Sequence, residues 1–386
     1  MSYTRFGLRR ARSRPMAQRL RVLFLVPHLG GGGAARVAAL VARGLRPDRF
    51  EMHIGLLTQG PAPTGYLPPS VTVHALSARR VRGAALPLLR LIRRLQPDAI
   101  LSGMAHLNFL VLLMRPLFDK RTALLIRQNG TASAALAFGD LPFYTRLAYR
   151  LLYPRADRII CQSEAMATDL AQLTGLPPAR LAVLPNPVDV EAIRESMNTS
   201  SALWPGPGPH LLAVGRLAKV KGLDLLIRAL LQVRESFPSA DLAIAGAGSE
   251  EAALKQLAAA LNLRDAVRFM GHVDQPSALF AGATLFVLSS RHEGLPNALL
   301  EAAAGGLPLV ATPASGGVVD LLRDQPGVWL APRTSTEALA NSLLAALAAL
   351  SPGQRFPHPF VDRFSLQRAI PAYEHLIESA VEERLP

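Results

Sequence analysis

Three basic side chains crowd a loop that follows an apolar segment in the second half of the chain. Arg216, Lys219 and Lys221 all lie in VGRLAKVKG (214–222). In open sheets of parallel strands, ligands bind beyond the carboxyl ends of the strands. These cations are therefore placed where a diphosphate would be held, with ordinary solvated charge as the alternative interpretation.

Two glutamates at the spacing E-x7-E follow in SSRHEGLPNALLEAAAGG (289–306). Pro296 suits the first position of a helix, so the helix is predicted to start there with its positive dipole end toward the ligand. Glu293 on the preceding loop and Glu301 along the helix can bind hydroxyls at two places on a long ligand. Taken alone, both could be ordinary surface residues of a helix.

Glycine turns provide further places where backbone can approach a base or a phosphate closely. Gly248 lies in GAGSE (246–250), and Val273 ends MGHV (270–273), both at the ends of predicted strands. In the first half, the run GGGGAAR (30–36) opens a predicted helix and has the same character.

Apolar runs alternate with amphipathic segments throughout, which is typical of strand–helix units and a parallel α/β sheet. Strands are predicted in the first half at 21–29, 51–58, 71–76, 98–103, 123–129, 156–163 and 181–188. Strands are predicted in the second half at 210–217, 241–248, 266–273, 283–290 and 307–312. The segment 196–209, rich in Ser, Thr, Pro and Gly, interrupts this rhythm and predicts a linker between two domains.

The length of 386 residues suits two domains, and 50% apolar residues suffice for two cores. The single cysteine, Cys161, excludes an intramolecular disulfide and an all-cysteine metal site. The most apolar segment, 101–114, is shorter than the roughly 20 residues of a membrane span and contains His106. We interpret the N-terminus as a basic tail (1–19) rather than a signal peptide, because no cleavage site follows its apolar part.

The positive charge is confined to the first half of the chain. Residues 1–200 contain 27 Lys and Arg against 11 Asp and Glu, whereas residues 201–386 contain 15 against 17. This bias favours an anionic partner, and leucines interleaved with arginines at 86–95 favour a membrane surface. No nucleic-acid-binding module is visible, so nucleic acid is not expected as a partner.

In this order and spacing, the motifs resemble those of the retaining GT-B glycosyltransferases of glycosyltransferase family 4 (glycosyl transferases group 1), over residues 20–380. The segments that carry the resemblance are GGGGAAR, LPNPVD (184–189), VGRLAKVKG, GAGSE, EGLPNALLEAAAGG and SGGVVDLL (315–322). The resemblance implies two Rossmann-like domains that face a cleft, an acceptor domain at 20–195 and a nucleotide-sugar-binding domain at 210–363. It also implies that a C-terminal helix within 364–386 crosses back onto the first domain.

The resemblance assigns roles to individual residues. Arg216 and Lys221 would hold the donor diphosphate, Glu301 the ribose hydroxyls and Glu293 the hydroxyls of the transferred sugar. The backbone of Gly294 and Leu295 would lie near the phosphates, and Gly31, Gly32 and Gly33 would close over the diphosphate. His106 would approach the acceptor or the donor sugar, with a partly buried structural histidine as the alternative. No D-x-D occurs in the chain, which fits a metal-free reaction without a cofactor.

Three departures from the family pattern concern mainly the acceptor side. Ala35 stands where the family often has Glu, Asp320 replaces another Glu, and Gln128 stands where an acid commonly follows an arginine. The expected activity is sugar transfer from a nucleotide-diphosphate sugar to a lipid-linked or saccharide acceptor. The expected context is bacterial cell-surface polysaccharide synthesis, in the cytoplasm at the inner face of the membrane.

Three alternatives stay open. One is a membrane-docked scaffold with little activity, and another is a GT-B sugar-nucleotide epimerase. The third is a nicotinamide-dependent oxidoreductase, because Gly30, Gly32 and Ala35 match G-x-G-x-x-A. The end of the second strand, LLTQG, lacks the acid that this dinucleotide fingerprint requires, which argues against the third.

Overall fold

A computed structural model of the chain describes residues 19–30, 32–58, 67–78, 80–137, 145–199, 204 and 206–385. The predicted basic tail therefore lies outside the described residues, except for Arg19, and so does Gly31. The described chain forms two α/β domains, each built on one parallel sheet.

The first domain contains seven strands with helices on both faces. The strands are β1 Leu20–Val26, β2 Phe50–Leu56, β3 Thr72–Ala75, β4 Ala99–Ser102, β5 Ala123–Arg127, β6 Arg158–Cys161 and β7 Leu181–Val183. The helices are α1 Gly33–Gly44, α2 Ala85–Leu95, α3 Ala105–Met114, α4 Ala132–Ala137, α5 Thr145–Leu152 and α6 Glu164–Thr174. The strand order is β3-β2-β1-β4-β5-β6-β7. Successive residues of β1 enter cores on opposite faces of the sheet, which explains the uninterrupted apolar run.

The second domain repeats this architecture with six strands. The strands are β8 His210–Val214, β9 Asp241–Ala245, β10 Val267–Gly271, β11 Leu285–Leu288, β12 Leu309–Ala311 and β13 Val328–Leu330. Its helices are α7 Val190–Thr199, α8 Leu223–Ser236, α9 Glu251–Ala260, α10 Asn297–Ala304, α11 Gly316–Leu322 and α12 Thr336–Ala349. The C-terminal helix, α13 Leu366–Glu382, follows them. The order β10-β9-β8-β11-β12-β13 is all parallel, which confirms the predicted fold class.

The chain crosses between the domains twice, and the two crossings lie side by side. The Val188 N–H donates to the carbonyl of Phe364 at 2.7 Å. Beyond this point α13 returns to the first domain, where Tyr373 and Ile377 are buried in the same core as β1. The predicted return of the C-terminal helix is therefore confirmed.

The predicted linker 196–209 starts too late. Helix α7 continues to Thr199, and the side chains of Val188 and Ile193 are already buried in the core of the second domain. The apolar face of α7 packs on that core, so its polar C-terminal residues remain helical despite their low helix propensity. The crossing consequently precedes the segment that composition alone singled out.

The basic helix predicted around 86–95 is present as α2, but its apolar side is not free. Leu88, Leu91 and Ile92 are buried in the core, whereas Leu86 is 55% exposed. The interpretation of this helix as an interfacial membrane helix is therefore wrong, because the core of the first domain already covers its apolar stripe. No helix in the described ranges is long and apolar enough to cross a membrane.

Candidate functional site

Backbone hydrogen bonds fix the loop that carries the predicted cations. The Leu217 N–H donates to the carbonyl of Ala247 at 3.0 Å, and the Glu250 N–H donates to the carbonyl of Leu217 at 3.0 Å. A Cβ on Gly248 would lie 2.3 Å from that same carbonyl oxygen. Only glycine permits this approach, so Gly248 locks together the loops after β8 and β9.

Lys221 and Glu293, predicted as separate binding groups, form a direct ion pair. The Lys221 Nζ donates to Glu293 Oε1 at 2.6 Å, and the Ser290 hydroxyl donates to the same oxygen at 2.6 Å. Glu293 is 9% exposed, so the pair lies largely out of water and is screened little. Among the described residues none donates a hydrogen bond to Glu293 Oε2, and that oxygen can accept from a ligand.

A second ion pair braces the loop that carries Lys221. Arg291 donates two hydrogen bonds of 2.7 Å to the carboxylate of Asp224, and the hydroxyl of Ser289 donates to the carbonyl of Lys221 at 2.9 Å. Burial alone would raise the pKa of Asp224, but the hydrogen bonds and charge of Arg291 outweigh it and lower that pKa. The fork of Arg291 thus holds the Lys221 segment against the segment that precedes Glu293.

The start of α10 meets the first domain. A Cβ on Gly294 would lie 2.8 Å from the Met166 Sδ and 3.3 Å from the Gln162 Oε1. Leu295 is buried beneath the same turn. Pro296 precedes the first helical residue rather than occupying it, a shift of one position from the prediction. The positive end of α10 nevertheless opens between the two domains, as the sequence predicts.

Glu301 is joined across the cleft to a residue that the sequence did not single out. The Arg36 Nη1 donates to Glu301 Oε2 at 2.7 Å, and Arg36 Nη2 donates to the carbonyl of Asp274 at 2.8 Å. One turn earlier on α1, a Cβ on Gly33 would lie 2.4 Å from the Asn297 Nδ2. Gly33 of the glycine loop therefore contacts α10, whereas a Cβ on Gly32 would meet nothing within 4 Å, and Gly31 lies outside the described residues.

A buried polar chain links the first sheet to the same helix. Arg127, which is 1% exposed, donates to the Oδ1 atoms of Asn129 and Asn186, and Asn186 in turn donates to the Oδ1 of Asn297. Sequence reasoning missed these roles, although Asn186 and Asn297 lie in the quoted segments LPNPVD and EGLPNALLEAAAGG. Partner asparagines far apart in sequence carry no local signal that they will meet.

Three predicted residues lie near the cleft without a fixed contact to it. Arg216 is exposed, and Val273 is half-buried next to Asp274, which Arg36 contacts. His106 is the second residue of α3, beyond the carboxyl end of β4. Partial burial lowers the pKa of His106, which favours its neutral ring. Within the described ranges, no hydrogen bond or ion pair joins the side chain of Arg216 or of His106 to another residue.

Comparison with known families covers both domains. The family model described as "Glycosyltransferase Family 4" matches residues 31–192, and the family model described as "Glycosyl transferases group 1" matches residues 198–350. The chain belongs to the GT-B glycosyltransferases of family 4. The two family models thus cover the site of this glycosyltransferase: Gly32 and Gly33 of the glycine loop, the Lys221–Glu293 pair and Glu301.

Individual relatives agree with this assignment. A Campylobacter jejuni N-acetylgalactosamine-N,N'-diacetylbacillosaminyl-diphospho-undecaprenol 4-alpha-N-acetylgalactosaminyltransferase is 29% identical over 77% of this chain and 81% of its own length. The lipopolysaccharide core biosynthesis glycosyltransferase LpsE of Rhizobium meliloti is 29% identical over 62% of this chain and 68% of its own. The solved structure of Anabaena HepE with UDP and glucose is 19% identical, with a TM-score of 0.76 over 94% of this glycosyltransferase and 100% of HepE. This last likeness shows the shared fold.

Proposed function

We propose that this glycosyltransferase moves a sugar from a nucleotide-diphosphate sugar to a lipid-linked or saccharide acceptor, with retention of the anomeric configuration. The observation that carries the proposal is the Lys221–Glu293 contact of 2.6 Å, which lies before the helix that presents Glu301 to the opposite domain. A cation for phosphates and two buried carboxylates for hydroxyls are thereby arranged along one cleft. Such an arrangement suits a ligand that contains a sugar, a diphosphate and a ribose.

The chemistry follows from where charge develops. When the bond from the anomeric carbon to the diphosphate oxygen breaks, negative charge grows on the leaving diphosphate and positive charge on the sugar ring. Lys221, Arg216 and the positive end of α10 stabilise the departing diphosphate. The acceptor hydroxyl attacks on the face that the diphosphate leaves, and its proton passes to the leaving phosphate oxygen, so no protein base is required.

The donor site is proposed to work without a metal ion or another cofactor. The charge that a divalent cation would otherwise neutralise on the diphosphate is met by Lys221 and Arg216. In a transfer assay with a UDP-, GDP- or ADP-sugar, turnover is expected to be the same with and without an excess of EDTA. NMR of the product is expected to show the anomeric configuration of the donor.

This assay also tests the proposed function as a whole. Loss of turnover in EDTA that Mg²⁺ restores would contradict the metal-independent mechanism, and an inverted product would contradict retention. Nucleotide-sugar binding without transfer to any acceptor would favour the alternative of an inactive scaffold.

The acceptor is proposed to be attached to a lipid, in bacterial cell-surface polysaccharide synthesis. Support comes from the Campylobacter jejuni relative, whose name specifies a diphospho-undecaprenol acceptor, and from LpsE, which is named for lipopolysaccharide core biosynthesis. Such an acceptor is confined to a membrane. The proposal therefore places the enzyme at the inner, cytoplasmic face of that membrane.

The first domain offers a surface for this attachment, although not on α2. Four leucines that are 56–61% exposed lie on α3, the turn after it and α5, and we name them the leucine ridge: Leu113, Leu117, Leu147 and Leu151. Edge-to-face contact between Phe109 and Tyr149, with ring centroids 5.3 Å apart, packs α3 against α5, the two helices that carry three of the four leucines. Exposed basic residues flank the ridge at Lys120, Arg121, Arg146 and Arg150. Apolar side chains bordered by cations are what an anionic bilayer interface binds.

Removal of the ridge is expected to release the enzyme from membranes. The double variant Leu147→Asp/Leu151→Asp is expected to lose most of its binding to phosphatidylglycerol vesicles at low salt, because both apolar contact and charge attraction fall. Vesicle flotation measures this. Leu231→Asp, at a leucine 40% exposed on α8 of the second domain, is the matched control. Equal flotation of the double variant and the control would refute this docking surface.

A further inference from the structure

Arg36 connects two donor-binding segments of the opposite domain. It is the fourth residue of α1, directly after the glycine loop, and its guanidinium reaches Glu301 Oε2 at 2.7 Å and the carbonyl of Asp274 at 2.8 Å. Glu301 lies on α10, and Asp274 follows Val273 in the loop after β10. A single side chain from the first domain thus holds both segments at once.

Arg36 does not stabilise α1, the helix to which it belongs. The first turn of α1 contains no acidic residue, and a cation near a helix N-terminus opposes the helix dipole and so destabilises the helix. The compensation lies in the ion pair across the cleft. The side chains of Arg36 and Glu301 are only 25% and 11% exposed, so the pair is shielded from water.

The ion pair uses only one of the two carboxylate oxygens of Glu301. Its Oε2 accepts from Arg36, whereas none of the residues in the described ranges donates to its Oε1. The carboxylate is therefore fixed in direction, and it has one oxygen free to accept from a hydroxyl group. The guanidinium of Arg36 donates from both of its terminal nitrogens, so any rotation away from Glu301 breaks two hydrogen bonds.

We infer that Arg36 is a positioning residue for donor recognition: it aims the Glu301 carboxylate at the ribose hydroxyls of the nucleotide. This inference rests on the donor role proposed above for Glu301. Because Arg36 belongs to the first domain, the ribose site is complete only while the two domains are closed. The near contact of Gly33 with Asn297, one turn away on both helices, sets the closed distance at which Arg36 reaches Glu301.

The test compares how well the enzyme distinguishes ribose from a sugar without its hydroxyls. Calorimetry gives the Kd values of UDP, GDP and ADP and of their 2′,3′-dideoxy forms for the wild type, Arg36→Met and Arg36→Lys. The wild type is expected to prefer one ribonucleotide over its dideoxy form by about tenfold or more. In Arg36→Met the preference is expected to fall toward one, while the Kd of the dideoxy form stays unchanged. Arg36→Lys is expected to be intermediate, because it keeps the charge but cannot also reach Asp274.

Two further variants separate positioning from structural support. Arg36→Met/Glu301→Gln is expected to discriminate no worse than Glu301→Gln alone, since both changes remove the same interaction. Arg228→Met, at an exposed arginine on α8, is the control and is expected to behave as the wild type. An Arg36→Met variant that keeps the wild-type preference, or that loses affinity equally for both nucleotide forms, would overturn the inference. Absence of any nucleotide binding by the wild type would overturn the proposed donor site together with it.

Discussion

Replacing Lys221 with alanine is expected to lower kcat/KM for the nucleotide sugar by about 10²–10³-fold, the usual effect of removing one group that stabilises charge in a transition state. The variant loses the cation proposed to stabilise the leaving diphosphate and leaves Glu293 buried without its partner at 2.6 Å. Because the diphosphate gains an additional negative charge only as the glycosidic bond breaks, most of the loss is expected in kcat rather than in KM. Initial rates over a range of donor concentrations measure it.

Lys219→Ala is the matched control for this change. Lys219 lies two residues earlier in the same turn, but its exposed side chain makes no hydrogen bond or ion pair with the described residues, unlike that of Lys221. Its carbonyl accepts from the Gly222 N–H and from Arg291. Its variant is expected to keep nearly the wild-type rate. Thermal unfolding without ligand shows whether Lys221→Ala is folded, and a folded Lys221→Ala enzyme with unchanged kcat/KM would contradict the diphosphate role.

Replacing Glu301 with alanine is expected to raise KM for the donor by about tenfold to a hundredfold, with a smaller change in kcat. The estimate corresponds to hydrogen bonds from ribose hydroxyls to a charged acceptor, each of which contributes about 1.5–3 kcal/mol. The ribose is remote from the bond that breaks, so its recognition contributes to binding more than to the chemical step. Steady-state kinetics with saturating acceptor separate the two constants.

The control for Glu301 is Glu251→Ala on α9, where an exposed carboxylate pairs with Lys255. Exposed pairs of this kind contribute little, and the variant is expected to keep its KM for the donor. If Glu301→Ala left KM unchanged while lowering the melting temperature, Glu301 would serve only the interface with Arg36.

Much of the fold could be predicted from the sequence because the strands are buried on both faces. A run such as that of β1 then reads as continuously apolar, and glycine turns mark its end. Strand β13, Val328–Leu330, escaped prediction because three half-buried residues give no such run. The linker was predicted too late in the chain because composition shows only where the helical pattern stops. The position at which the chain crosses between the domains depends instead on tertiary packing, since Val188 is already buried in the core of the second domain.

The candidate site was predictable only in its parts. Strand ends placed Lys221 and Glu293 at one edge of the second sheet, but their contact spans 72 positions and follows from the brace between Arg291 and Asp224. The role of Arg36 was even harder to predict, because its only unusual feature in the sequence is that it is a cation in the first turn of a predicted helix. Its partner lies 265 positions away in the other domain, and domain closure has no signature in local sequence.

We propose that this cleft binds a nucleotide sugar through the groups around α10. Thermal-shift measurements of the purified protein with UDP, GDP, ADP, NAD and the corresponding sugars, all without metal, test it most directly. One nucleoside diphosphate is expected to stabilise the wild type, and this stabilisation is expected to be lost in Glu301→Ala. Stabilisation by NAD alone would contradict it.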